Sequence, residues 1–292
     1  MKKLILILWM FFAAPNVWAV DQLVESPGLY PAAPQIIGGF DATPGAWPWM
    51  TAIVYADESD LFMAQFCGGA LIAANWVLTA GHCVDGLVAA DIQVAVGAHD
   101  LETFSGPRIQ VKNIVRHPNY VNFKANDLAL LELSVPSGQQ PVILFSGASR
   151  QGIEVSLISR MTTLTGWGLA DTPTTWYYPS ILQQVDLPVV ADANCNDTFG
   201  ETLLSSQLCA GYPIAKDACT GDSGDPMMLM IDGQWTHVGI VSYGADCRQS
   251  EGIYGVYTRS SAFVDFIRQN VPAAQFTETA SRALPWLMLL LR

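Results

Sequence analysis

The sequence predicts an all-β fold, a sandwich or a barrel, on three observations. From Ile36 to about Pro272, apolar runs of four to seven residues recur at spacings of ten to twenty. Gly, Pro, Asn and Asp break the chain between them, and a helical pattern stands out only once. In chain order the candidate strands are Ala70–Ala73, Gln93–Val96, Ile109–Val115, Ala129–Leu133, Val155–Ile158 and His237–Ser242. Each is too short for an ordinary helix and rich in residues that fit a pleated surface. The stretch Pro136–Gly152, full of Ser, Gly, Gln and Pro, reads as a linker between two β units. The helix is expected at Ser261–Val271, where Phe263, Val264, Phe266, Ile267 and Val271 fall on one face.

Composition narrows the function. Of 292 residues, 51% are hydrophobic and 14% charged, which excludes a disordered chain. The 24 glycines follow no three-residue period, which excludes a collagen. The net charge of −12 is spread along the chain and repels phosphate backbones, so nucleic acid is not an expected partner.

The ends carry their own signals. Met1-Lys2-Lys3, an apolar run from Leu4 to Ala14, and Val17-Trp18-Ala19 describe a secretory signal peptide over residues 1–19. Pro15-Asn16 interrupts the run, which is too short for a membrane anchor. Residues 20–35 contain no Lys or Arg and read as an extended pro-segment ahead of a domain at 36–272. Losing residues 1–35 removes Lys2, Lys3, Asp21 and Glu25, so the remainder keeps its charge of −12. The final stretch, 273–292, ends in eight apolar residues and Arg292, too few to span a bilayer. It reads either as a segment packed on the surface or as a sorting or membrane-contact tail.

Six cysteines, Cys67, Cys83, Cys195, Cys209, Cys219 and Cys247, lie behind that signal peptide without a Cys-x-x-Cys pair. With four histidines in the whole chain, disulfides are expected and no metal or cofactor is. Counting leaves fifteen connectivities open.

Three clusters hold the side chains that chemistry would use: Thr79-Ala80-Gly81-His82-Cys83, Asn126-Asp127-Leu128-Ala129-Leu130-Leu131, and Gly221-Asp222-Ser223-Gly224-Asp225-Pro226. A serine hydroxyl is a poor nucleophile until a base takes its proton. An imidazole serves, and a buried carboxylate then fixes its tautomer and stabilises its charged form. Glycines beside the serine let the backbone turn and aim N–H groups at a developing oxyanion.

In this order the clusters resemble the trypsin-like serine proteases of the chymotrypsin fold. Ile36-Ile37-Gly38-Gly39, Trp47-Pro48-Trp49, Cys67-Gly68-Gly69, Gly166-Trp167-Gly168 and Gly255-Val256-Tyr257-Thr258 extend the likeness from Ile36 to about Val271. The resemblance implies two antiparallel six-stranded β-barrels, a C-terminal helix and an active site in the cleft between the barrels. It implies His82 as general base and acid, Asp127 as its orienting partner and Ser223 as nucleophile. The backbone N–H groups of Gly221 and Ser223 would form the oxyanion hole. It also implies the pairs Cys67–Cys83, Cys195–Cys209 and Cys219–Cys247, each worth about 3 kcal/mol as a short closed loop.

Specificity follows from the same likeness. Asp217 corresponds to the pocket floor, and Ser242, Tyr243, Gly244 and Gly255 to its walls. A buried carboxylate there favours Lys or Arg in protein or peptide substrates, since an unpaired buried charge costs roughly 3–5 kcal/mol. Family members are made as precursors: cutting before Ile36 frees an ammonium that pairs with Asp222. Gln35 precedes that bond where tryptic precursors carry Lys or Arg, so the expected activator is a different protease. Protein inhibitors complete the partners that the resemblance implies, and the expected location is extracellular.

The chain departs from the pattern at three points. Asp225 replaces a glycine beside the nucleophile, and Asp246 replaces one beside Cys247. Ala98-His99-Asp100-Leu101-Glu102 lacks the first acidic ligand of the calcium loop of vertebrate trypsins. Two other readings accompany the main one: a non-catalytic homologue that uses the fold for binding, and an active protease with a non-basic preference.

Overall fold

In the computed structural model, which describes residues 35–36, 38–148, 155–172, 175–213, 218–244 and 254–277, six strands close a first barrel. They are β1 (Met50–Tyr55), β2 (Gln65–Ala73), β3 (Trp76–Thr79), β4 (Ile92–Val96), β5 (Arg108–Arg116) and β6 (Ala129–Leu133). Their order around the barrel is β1-β2-β3-β6-β5-β4, all antiparallel, and β4 returns to β1 with Thr51 opposite Val96. Most of β1, β2 and β6 is buried on both faces, which is why these strands read as mainly apolar runs rather than as strict alternation. Met50, Ile53, Leu71, Leu78 and Leu130 fill the interior.

The second barrel uses β7 (Met161–Gly166), β8 (Gln183–Val190), β9 (Gln207–Gly211), β10 (Pro226–Ile231), β11 (Gln234–Gly244) and β12 (Tyr254–Arg259). The order is β7-β10-β11-β12-β9-β8, closed by the β7–β8 ladder. β8 alternates buried and half-exposed positions along Gln183–Val190, as a strand with one wet face must. Leu164, Val185, Leu187, Leu208, Met227, Val238 and Tyr257 make its core. Closure leaves neither barrel with a free edge.

Among the described residues, besides a single helical turn at Leu61–Ala64, two helices lie outside the barrels: α1 (Asp192–Phe199) and α2 (Val264–Asn270). The expected helix at Ser261–Val271 begins as a 3₁₀ turn over Ser260–Phe263 before α2. Phe263, Ile267 and Val271 nevertheless share the apolar face that the spacing predicts, and they join the first barrel's core. The chain's C-terminal helix therefore ties the second half of the sequence to the first.

The strand expected at Val155–Ile158 does not form. Leu157 is buried, but the run bends at Ser159, whose φ is +66°, and the ladder starts only at Met161. Within the expected linker, Ile143–Leu144 pairs in parallel with Thr236-His237 of β11. Two of the implied disulfides are present, Cys67–Cys83 and Cys195–Cys209. Cys219 is also disulfide-bonded, while Cys247 lies outside the described residues. Residues 1–34 and 278–292, with the expected signal peptide and most of the expected tail, lie outside them too.

Candidate active site

His82 begins a single 3₁₀ turn, His82–Val84, just beyond β3, and Asp127 stands just ahead of β6. β3 and β6 are paired neighbours, with Thr79 opposite Ala129, so their ends bring the two side chains together. Asn126 adopts φ +52° and its amide donates to Asn119 O, which turns the chain so that Asp127 faces inward. His82 donates its backbone N–H to Asp127 Oδ1 at 2.9 Å, and its Nδ1 lies 2.8 Å from Asp127 Oδ2. A ring N–H spent on the carboxylate leaves Nε2 as the free acceptor.

Asp127 is 2% exposed. Burial pushes its carboxyl up, but the hydrogen bonds and charge of His82, with the Ser242 hydroxyl, hold it below the usual aspartate value. Ser242 Oγ donates to Asp127 Oδ2 at 2.5 Å, and Thr258 Oγ1 donates to Asp127 O at 2.8 Å. Both donors come from the second barrel, so the carboxylate of the first is clasped across the junction.

Ser223 sits in the turn that leads into β10. Gly221 and Gly224 have φ of +102° and +84°, values that a side chain disfavours. A Cβ on Gly224 would stand 2.3 Å from Thr79 Oγ1 and 2.4 Å from Gly68 O, so that position has no room for one. Gly68 N donates to Ser223 O at 2.8 Å, and Gln65 Nε2 donates to Gly221 O at 3.0 Å. The Sγ of Cys83 lies 3.5 Å from Ser223 O and 3.9 Å from His82 Nε2, so histidine and serine meet over the Cys67–Cys83 bridge. Among the described residues no hydrogen bond joins Ser223 Oγ to His82, and the N–H groups of Gly221 and Ser223 have no internal acceptor. Catalytic hydrogen bonds commonly tighten only when substrate binds.

The predicted pocket is reached in part. Asp217 and Asp246 lie outside the described residues. Gly244 of β11 and Gly255 of β12 face each other in the ladder. Ser242, expected in the pocket wall, turns its hydroxyl onto Asp127. The Tyr243 ring packs edge-on against Phe199 of α1, and its hydroxyl lies 3.5 Å from Glu201.

Gln35–Ile36 forms a short strand against Ala170–Thr172, with Ile36 opposite Ala170. Two residues earlier, Gly168 N donates to Asp222 Oδ1 at 2.7 Å, and Cys219 N donates to Asp222 Oδ2 at 2.8 Å. Burial nonetheless pushes the Asp222 carboxyl up to about 6. Two side chains at the site carry no signal in the sequence: Phe123 covers His82, and Gln65 braces the Gly221 turn. Asp225, singled out in the sequence as an acid where a glycine is expected, points inward and is fully buried.

The family described as Trypsin matches residues 36–267 of the chain. The chain is 36% identical over 252 residues to "Serine proteinase stubble" of Drosophila melanogaster, covering 81% of this chain and 31% of that protein. It is 32% identical over 236 residues to "Brachyurin" of Leptuca pugilator, covering 80% of this chain and 97% of that protein. It thus spans less than a third of the first relative's length and nearly the whole of the second.

Proposed function

Since the chain belongs to the trypsin family of serine proteases, we propose that it is a secreted endopeptidase that cleaves peptide bonds after Lys or Arg. The observation that carries the reading is the His82 Nδ1 contact to buried Asp127 at 2.8 Å, with Ser223 across the same disulfide and two unspent N–H groups beside it.

In this reading Ser223 Oγ attacks the scissile carbonyl and its proton passes to His82 Nε2. The N–H groups of Gly221 and Ser223 receive the oxyanion. His82 then protonates the leaving amine, and a water activated by the same imidazole releases the acyl group. Asp127 stays ionised and holds the imidazole, as its lowered pKa favours. Asp217 supplies the preference for basic side chains. Cleavage between Gln35 and Ile36 by another protease frees the ammonium that pairs with Asp222, and self-activation is poor.

The test uses chain processed to start at Ile36, with Ser223→Ala as control, against short peptides ending in Arg, Lys, Phe and Ala. Rapid Arg and Lys cleavage, lost in the control, is expected. Cleavage of Phe or Ala peptides alone would discard the role of Asp217, and no cleavage would discard the protease reading. Incubating precursor with active enzyme checks the activator: rapid appearance of chains starting at Ile36 would refute the need for another protease.

A further inference from the structure

Asp225 is fully buried and neither of its carboxyl oxygens receives a hydrogen bond from an N–H or hydroxyl donor. Its backbone N–H donates to Asp222 O in the same turn. Its side chain occupies space that two distant glycines leave open. A Cβ on Gly68 would fall 1.4 Å from Asp225 Oδ1. A Cβ on Gly166 would fall 2.0 Å from Asp225 Oδ2 and 2.2 Å from Asp222 Oδ1, so the two carboxyls crowd one spot. Two carboxylates that close, both out of water, cannot both be ionised. Burial, then the charge of Asp222, push the Asp225 carboxyl well above its ordinary range, so Asp225 is the partner that keeps the proton.

The state of Asp222 gives that proton a use. With the Gln35–Ile36 bond intact no ammonium exists, yet Asp222 is already turned inward onto Gly168 N and Cys219 N. The N–H groups of Gly221 and Ser223 are already free to receive an oxyanion. Something other than a new N-terminus holds the turn. We propose that Asp225 is a positioning residue that stands in for the ammonium: its carboxyl O–H donates to Asp222, keeps the Gly221–Ser223 turn in working shape, and gives the uncleaved chain proteolytic activity of its own. The proposal rests on the protease reading above and adds to it that cleavage at Ile36 adjusts activity rather than creating it.

The experiment compares full-length chain, its intact mass and N-terminus verified before and after assay, with chain processed to start at Ile36. The readout is the ratio of uncleaved to processed kcat/KM on one short Arg peptide. Wild type is expected to keep a readily measured ratio. In Asp225→Ala the ratio falls roughly ten- to a hundredfold, the worth of one hydrogen bond to a charged group. Asp225→Asn, whose amide donates to Asp222 without needing a proton, keeps the wild-type ratio within about threefold. Processed Asp225→Ala reports on its own folding, so a misfolded variant is recognised as such, and the Asn variant still decides. An uncleaved wild type that is silent beside an active processed form overturns the proposal, as does an Asn variant that falls as far as Ala. A silent processed wild type overturns the protease reading instead, and this inference with it.

Discussion

The phenyl ring of Phe123 lies over the imidazole of His82, with centroids 4.3 Å apart and planes inclined by 35°. Phe123 holds φ +61°, a conformation a bulky residue adopts only at a cost of order 1–3 kcal/mol. Its neighbour Lys124 pairs with Glu201 at 2.6 Å, fastening this loop of the first barrel to the second.

If the ring walls the space beside the histidine, Phe123→Ala opens it. On the proposed preference for Lys or Arg, peptides with a bulky residue just before the cleaved one should then gain about tenfold in kcat/KM over those with glycine there. A grid of substrates differing at that one position checks it. An equal change for all substrates would mean the ring positions His82 rather than limiting the substrate.

The Ser242 hydroxyl bears on stability as well as chemistry. Asp127 has a folded pKa below its ordinary value, so it contributes stability that is present above about pH 4 and lost as pH falls. Ser242→Ala removes one donor and lets that pKa climb. The variant should lose about 1.5–3 kcal/mol near neutral pH, with a gap to wild type that narrows as the medium is acidified. Denaturant titrations at several pH values measure that gap, and a constant one would place the loss elsewhere.

Gly68 and Asp225 should couple. Gly68→Ala drives a methyl into Asp225 Oδ1 and should cost about 3 kcal/mol or more. In an Asp225→Gly background the obstacle is gone, and about 1–3 kcal/mol should return. A double-mutant cycle by urea unfolding tests this, and additive losses would show that the strain comes from another neighbour.

His237 lies fully buried in β11, with Nδ1 2.8 Å from Ser260 Oγ and no partner on Nε2. Burial holds its pKa down to about 3, against 6.5 when exposed. The unfolded chain therefore binds the proton first as pH falls. Stability from this group is complete above about pH 6.5 and is lost toward pH 3, at up to about 1.4 kcal/mol per pH unit. Asp222 works the other way between pH 3.8 and about 6, because its carboxyl is pushed up. His237→Gln should flatten the acid side of the stability curve, and unfolding at graded pH would read an unchanged slope as a refutation.

Much of this was readable in the chain. His82, Asp127 and Ser223 each sit in a short motif whose neighbours are demanded locally, such as the glycines around Ser223. Ala129–Leu133 is legible to the residue, because a strand buried over most of both faces leaves a mainly apolar run, here broken only by Glu132. Val155–Ile158 offered a similar run, but Ser159 bends it away from the ladder. Met161–Gly166, which does pair, is rich in Thr and carries no such signal. Asp225 stands out in the sequence, but its burial depends on Gly68 and Gly166, far away along the chain. The turn of Ser242 toward Asp127, 115 residues distant, belongs to the packing of one barrel on the other and has no local trace.

The clasp of Ser242 and Thr258 on Asp127 has a consequence for biosynthesis. A ribosome delivers the chain from its N-terminus, and the first barrel emerges with His82 and Asp127 on the order of ten seconds before Ser223, Ser242 and Thr258. Throughout that interval the nascent chain lacks both Ser223 and the clasp. On the proposed mechanism, hydrolytic power is withheld until translation has nearly finished, so a polypeptide still being made is no danger to itself or to the machinery that makes it.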